Sequence, residues 1–297
     1  MNTLYCFIIA SIFSLAFSLF PRFSLGHVLC SEPASSHKKK LARESFVFLL
    51  ILLFLTFLSG FHFSQVSFTE FFSKSGWEGA KRILFSLLNP SFKILDEVLF
   101  SAIETIYMAF MATSFAIIPA SLLSFIASKN LMKSSLSLMI LYTASRNLLN
   151  IIRAVEPLIW AIIFSVWVGI GPFAGMLALC LHSVASLAKL YSEQIENMEE
   201  GPMEAITSTG AHPLQVILHG VIPQVFLSFL SFTIYRWDIN VRMATVIGLV
   251  GGGGIGTILM QYQGNGRWNE VGLIIIIITF IVSIMDHLSA KIRESIK

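Results

Sequence analysis

Residues 271–288 read VGLIIIIITFIVSIMDHL, a run without lysine or arginine. A hydrocarbon core about 30 Å thick is crossed by a helix of about 20 mostly apolar residues, so this stretch has the length and character of a membrane span. Comparable windows precede it at Phe46–Phe63, Glu97–Ala127, Pro157–Ile170, Phe173–Leu190 and Val225–Val246. The composition agrees: 55% of the 297 residues are hydrophobic, 12% are charged, and the mean hydropathy is +0.78. An average soluble domain carries about 25% charged residues. Lipid is therefore the expected solvent, and the fold class is all-α, a polytopic transmembrane bundle of about six or seven spans.

Charge placement orients the chain. Arg22–Arg43, with Lys38, Lys39 and Lys40, is the densest basic segment and is assigned to the cytoplasm by the positive-inside rule. Lys129, Lys133, Arg146 and Arg153 mark a second cytoplasmic stretch, and the tail with Lys291, Arg293 and Lys297 a third. Three regions result: 1–45, an apolar span and a basic linker; 46–98, a span and an outer-face segment; and 99–297, the main transmembrane domain. Asn2–Phe20 reads as a retained span rather than a cleaved leader, because no basic start or small-residue cleavage site accompanies it. The turn Gly169-Ile170-Gly171-Pro172 predicts a tight hairpin between two spans.

Several function classes fall away. A net charge of +3, with scattered Lys and Arg, lacks the footprint of a nucleic-acid binder. Cys6, Cys30 and Cys180 form no CxxC and have no histidine at ligand spacing, so no metal site is expected. Leu29 before Cys30 argues against a lipidated cysteine. Gly251-x-Gly253-x-x-Gly256 matches the dinucleotide fingerprint in form only, since no βαβ unit surrounds it. Gly251, Gly253, Gly254 and Gly256 read instead as close helix packing or a gate. No catalytic triad, paired carboxylates or GxxxxGK[ST] loop occurs, so the chain is not read as an enzyme and binds no cofactor itself.

The longest polar interruption in the second half is 191–224, cytoplasmic by the charge count. It contains Glu204-Ala205-Ile206, then Gly210, then Gly220-Val221-Ile222-Pro223. Pro202 suits a first helical turn, Glu204 favours a helix N-terminus, and Gly210 allows a sharp turn. A second short helix is expected to start near Pro213 and stop before Pro223. This segment resembles the EAA loop of ABC importer permeases, with Ile206 and Gly220 as departures from its usual pattern. From about Arg146 onward the chain is similar to the phosphonate permease family. Gly171-Pro172-Phe173-Ala174-Gly175, Gly201-Pro202, Tyr235-Arg236, Asn240-Val241-Arg242, Ala244–Gly251 and Gly253-Gly254-Ile255-Gly256 carry that resemblance.

The resemblance implies a type I importer permease in the cytoplasmic membrane, working as a homodimer. It implies two ATPase subunits, which hold the ATP and Mg, and an extracytoplasmic binding protein. The implied cargo is phosphonate or a related phosphorus oxyanion. An importer permease for phosphate, phosphite or an amino acid is the alternative, and an ion-driven transporter is a further one, disfavoured by the lack of paired internal repeats. Arg236 and Arg242 are candidate pathway residues, because charges inside a span are costly and their guanidinium forks suit oxyanions. The competing reading is a structural Asp238–Arg242 pair at four-residue spacing, with Arg236 on another face. Glu104, Glu156 and His182 read more simply as wet, helix-starting and packing residues.

Overall fold

The computed structural model describes residues 50–51, 53–61, 63–64, 67, 69, 72–133 and 135–296. The proposed span at Asn2–Phe20 and the basic linker lie outside them. The chain divides into two compact units, Met1–Glu78 and Gly79–Lys297. In the first, residues 53–61 are helical and Leu53, Phe54, Leu55, Phe57 and Leu58 are exposed, as suits a helix facing lipid.

Helix α1 (Lys74–Leu88), within which the division at Glu78 falls, buries no residue. After Pro90 a 3₁₀ turn (Phe92–Ile94) leads into α2 (Leu95–Ile126), whose 32 residues make it about 48 Å long. Then follow α3 (Lys129–Met132), α4 (Leu136–Ala154), α5 (Pro157–Val168) and α6 (Pro172–Glu196). The second half contains α7 (Gly201–Ser208), α8 (Pro213–Val216), α9 (Ile222–Gly248), α10 (Ile255–Gly264) and α11 (Trp268–Ile296). No strand occurs among the described residues. Among the described residues, four stretches are long and apolar enough to cross a membrane by themselves: Phe92–Ile126, Pro172–Glu196, Pro213–Gly248 and Trp268–Ser295.

The expected span at Pro157–Ile170 requires correction. Helix α5 has only 12 residues, about 18 Å, and it joins α4 through a bend of 88°. The pair makes at most one broken crossing. Its cause is local: proline disfavours helical backbone in the residue before it, and Glu156 is extended at φ −61°, ψ 139°. The reversal after α5 does occur, at Gly169 with φ +94°.

Helices α2, α6 and α9 pack around alanines. Ala109 and Ala112, Ala178, and Ala244 are all fully buried together with Leu179, Val241 and Ile247. Water does not drive helices together inside lipid, so close backbone approach through small residues has to supply the attraction. The segment after α9 takes this furthest. A Cβ on Gly175 would strike the Gly252 carbonyl, one on Gly253 would lie 2.6 Å from Pro172 Cα, and one on Gly254 would strike Thr105 Oγ1. Gly253 and Gly254 also hold φ of +81° and +73°, which side-chain-bearing residues avoid. The Ile255 N–H donates to Thr105 Oγ1 at 2.8 Å, which ties the start of α10 to α2.

At the far end of α10, the Tyr262 hydroxyl donates to Glu97 at 2.9 Å. Asn269 donates to the Asn89 carbonyl at 3.0 Å, so α10 and the start of α11 are fastened to the entry of α2.

This packing predicts a sharp contrast between glycines. Gly256→Ala would place a methyl against the Thr245 carbonyl oxygen and 2.9 Å from Gly248 Cα, whereas Gly79→Ala meets nothing within 4 Å. Thermal unfolding in detergent is expected to show Gly256→Ala destabilised by about 1–3 kcal/mol or more, and Gly79→Ala unchanged or slightly stabilised.

Candidate functional site

Two groups of residues stand out, one in the polar loop and one inside the bundle. The loop is a helical elbow. Pro202 lies in the first turn of α7 and Glu204 follows it there. Gly210 turns the chain at φ +77°. His212 then caps α8, its ring accepting from the Leu214 N–H at 3.3 Å while Gln215 Oε1 accepts from the His212 N–H at 3.0 Å.

The elbow is anchored on one side and open on the other. Met203 packs on the buried cluster Ile195, Val221 and Val225. Buried Gly220 lies directly under α7, and a Cβ there would come 3.3 Å from Ile206 Cδ1 and 3.4 Å from Met203 Cα. A glycine at 220 and an isoleucine at 206 thus fit each other, which accounts for the two departures from the loop pattern. Glu204, Ala205, Leu214, Leu218 and Pro223 are exposed, and Ile222 is half-buried.

The second short helix does not stop before Pro223, contrary to the sequence-based expectation. Residues Ile217–Val221 form a π turn, the Ile222 N–H donates to the Ile217 carbonyl, and α9 continues at once. In an ordinary α-helix the proline ring would press on the carbonyl four residues back. The widened turn accommodates it, and Pro213–Gly248 runs as one 36-residue element.

Inside the bundle α2, α6 and α9 meet in a polar node. Asn240 Nδ2 donates to Thr113 Oγ1 and to Ser183 Oγ, both at 2.8 Å. Arg236 Nε donates to the same Ser183 Oγ at 3.1 Å. Asn240 and Ser183 are fully buried, Thr113 nearly so, and Arg236 is 8% exposed. Arg236 Nη2 has no hydrogen-bond partner.

Arg242 lies elsewhere. Its Nη2 meets Asp238 Oδ2 at 2.6 Å and Asp286 Oδ1 on α11 at 3.4 Å. The two arginines therefore occupy different faces of α9 and different electrostatic settings. His182 lies near the Val155 backbone and within electrostatic range of Arg153 and Arg236. Glu104 is half-buried, and exposed Glu156 stands at the N-cap of α5 without a side-chain capping bond. Gly251, Gly253, Gly254 and Gly256 belong to the close-packed turn described above, with Gly251 against Ile170.

The elbow was visible in the sequence, whereas the partners Thr113, Ser183 and Asp286 were not singled out. Only Asn240 carried a signal, as an amide within an apolar run.

Known proteins place this architecture. Residues 120–294 match the model of the family described as "Binding-protein-dependent transport system inner membrane component". The chain belongs to this family. It is a multi-pass transport permease component of an ABC importer. Within the family it is similar to the phosphite transport system permease protein PtxC of Stutzerimonas stutzeri, at 40% identity over 66% of this chain and 70% of that protein. A putative phosphite transport system permease protein, HtxC, of the same organism is 35% identical over 69% of this chain and 71% of its own length. The phosphate-import permease protein PhnE of Mycolicibacterium smegmatis is 35% identical over 65% of this chain and 36% of its own length. Among solved structures, the inward-facing methionine ABC transporter MetNI superposes with a TM-score of 0.62, covering 70% of this chain and 99% of that chain at 20% identity. That likeness supports the type I permease fold.

The node should behave as a unit in this permease. Asn240→Ala removes the buried hydrogen bonds to Thr113 and Ser183 and is expected to cost about 1–3 kcal/mol. A double-mutant cycle with Ser183→Ala should show coupling above about 0.5 kcal/mol, read from denaturation midpoints.

Proposed function

We propose that this permease moves phosphite, phosphonate or a closely related phosphorus oxyanion into the cytoplasm. The observation that carries the reading is its 35–43% identity to curated permeases named for phosphite or phosphonate transport. The permease works as a homodimer, receives cargo from an extracytoplasmic binding protein, and is driven by two ATPase subunits that hold ATP and Mg.

The α7–Gly210–α8 elbow is the part that seats on the ATPase. Its exposed Glu204, Ala205, Leu214 and Leu218 offer a mixed polar and apolar surface, and Met203 fixes it to the bundle. The elbow end faces the cytoplasm. Lys129 N–H donates to Glu196 Oε1 at 2.8 Å, and Asn130 Nδ2 to the Ile195 carbonyl at 2.8 Å, so the basic α2–α4 connection lies at the same end as the elbow. Two crossings, α9 and α11, separate the elbow from the basic tail, which returns the C-terminus to that same side.

Alternating access follows from this placement. ATPase closure pushes on the elbow, the two permease copies rotate, and the path opens outward to accept cargo; hydrolysis resets it.

The test is ATPase activity of the permease reconstituted in lipid with its ATPase and binding protein, during separate titrations of phosphite, methylphosphonate, phosphate and methionine. Stimulation by one or more phosphorus oxyanions, and none by methionine, is the expected result. Gly210→Glu should cut cargo-stimulated hydrolysis at least tenfold, because φ +77° is costly for any side-chain-bearing residue and the elbow must then refold. An unchanged Gly210→Glu complex would remove the elbow from the coupling role.

A further inference from the structure

Among the described residues two charged side chains are buried, Arg236 and Asp238, and Arg236 is the one without a countercharge. A guanidinium within a span costs at least about 2.5–3.5 kcal/mol on the mildest insertion scale, and such groups ordinarily pair. Arg242, on the same helix, does so with Asp238 and Asp286. Among the described residues no carboxylate forms an ion pair with Arg236. Its one hydrogen bond goes to the neutral Ser183 hydroxyl, and Nη2 is buried without a partner.

The surroundings add positive potential. Arg153, on the last turn of α4 beside the break at Val155, supplies it from within electrostatic range of Arg236. His182 Nδ1 is likewise buried without a partner. His182 and Arg236 lie near the midpoints of α6 (Pro172–Glu196) and α9 (Ile222–Gly248), well away from the ends of both helices.

We propose that Arg236, held by Ser183, is an intramembrane station for a tetrahedral phosphorus oxyanion during translocation. The proposal rests on the importer reading above and names where its cargo binds within this chain. The oxygens of the ion supply the missing countercharge, and a guanidinium fork can engage two of them at once. Ser183 accepts from Nε and so aims the fork; Asn240, itself held by Thr113, fixes Ser183. Because Arg236 is 8% exposed, the station is open only in the part of the cycle in which the helices around it separate.

The test uses the complete transporter, comprising permease, ATPase and binding protein, in liposomes with radiolabelled phosphite, methylphosphonate and phosphate in parallel. Uptake per ATP hydrolysed and the thermal midpoint of the complex are both read. Arg236→Gln removes the charge but keeps a donor. Uptake per ATP should fall at least tenfold, while the thermal midpoint stays level or rises, since an uncompensated buried charge has been removed. A structural role would lower both together, and that result overturns the proposal. Arg236→Lys, which keeps the charge but not the fork, should assemble and lose at least threefold; it decides the matter if the glutamine variant does not assemble. Wild-type uptake that neither variant alters overturns the station alone. Absence of wild-type uptake of all three ions overturns the cargo reading and the station with it.

Discussion

The contact on which the bundle depends is close backbone packing: residues 248–256 press their backbone on α6 and reach α2 through the Thr105 hydroxyl. The Gly252 carbonyl occupies the space of a Gly175 side chain, Gly253 abuts Pro172, and Gly256 abuts Thr245. Inside a bilayer, non-helical backbone is tolerated only where protein or water covers it, and here the neighbouring helices provide the cover. The short distance set at this turn continues along α9. Asn240 sits two turns before Gly248 and can therefore reach Thr113 and Ser183 at 2.8 Å. A larger residue at 175 would push α6 away from the end of α9 and open the polar node.

What was legible in the sequence follows from the range of the forces involved. Hydropathy is local, so α2, α6, α9 and α11 were evident from composition along the chain. Gly210 was legible because a turn needs a residue tolerant of positive φ, whatever else surrounds it. The break at Glu156–Pro157 was equally local, but the apolar run after it resembled a span and concealed that only 12 residues follow before Gly169. Pro223 misled in the opposite direction. A proline normally ends the preceding helix, and only the π turn beneath it lets the chain continue.

The polar node was hidden for a different reason. Its hydrogen bonds join residues 53, 57 and 127 positions apart, and serine and threonine in membrane helices commonly satisfy themselves on their own backbone. Thr113 does so as well, donating to the Ala109 carbonyl at 2.8 Å. No spacing rule connects such residues. The charge asymmetry between Arg236 and Arg242 was hidden similarly, since Asp286, one of the two carboxylates that neutralise Arg242, comes from another helix.

The elbow and the node are linked because they share one element. Pro213–Gly248 is unbroken, so Gly220 under α7 and Arg236 at mid-bundle lie on one helical rod, about 24 Å apart along its axis. A helix of that length is stiff except where its hydrogen-bond register changes, and the register changes only at Ile217–Val221. Force on α7 therefore enters the rod at its one compliant turn, where Gly220 permits contact without a side-chain buffer. A displacement there must either bend the π turn or carry Arg236 and Asn240 past Ser183 on α6. Hydrogen bonds of 2.8–3.1 Å tolerate little sliding, so a movement of the rod by even an ångström would release the Ser183 hydroxyl and free the Arg236 fork.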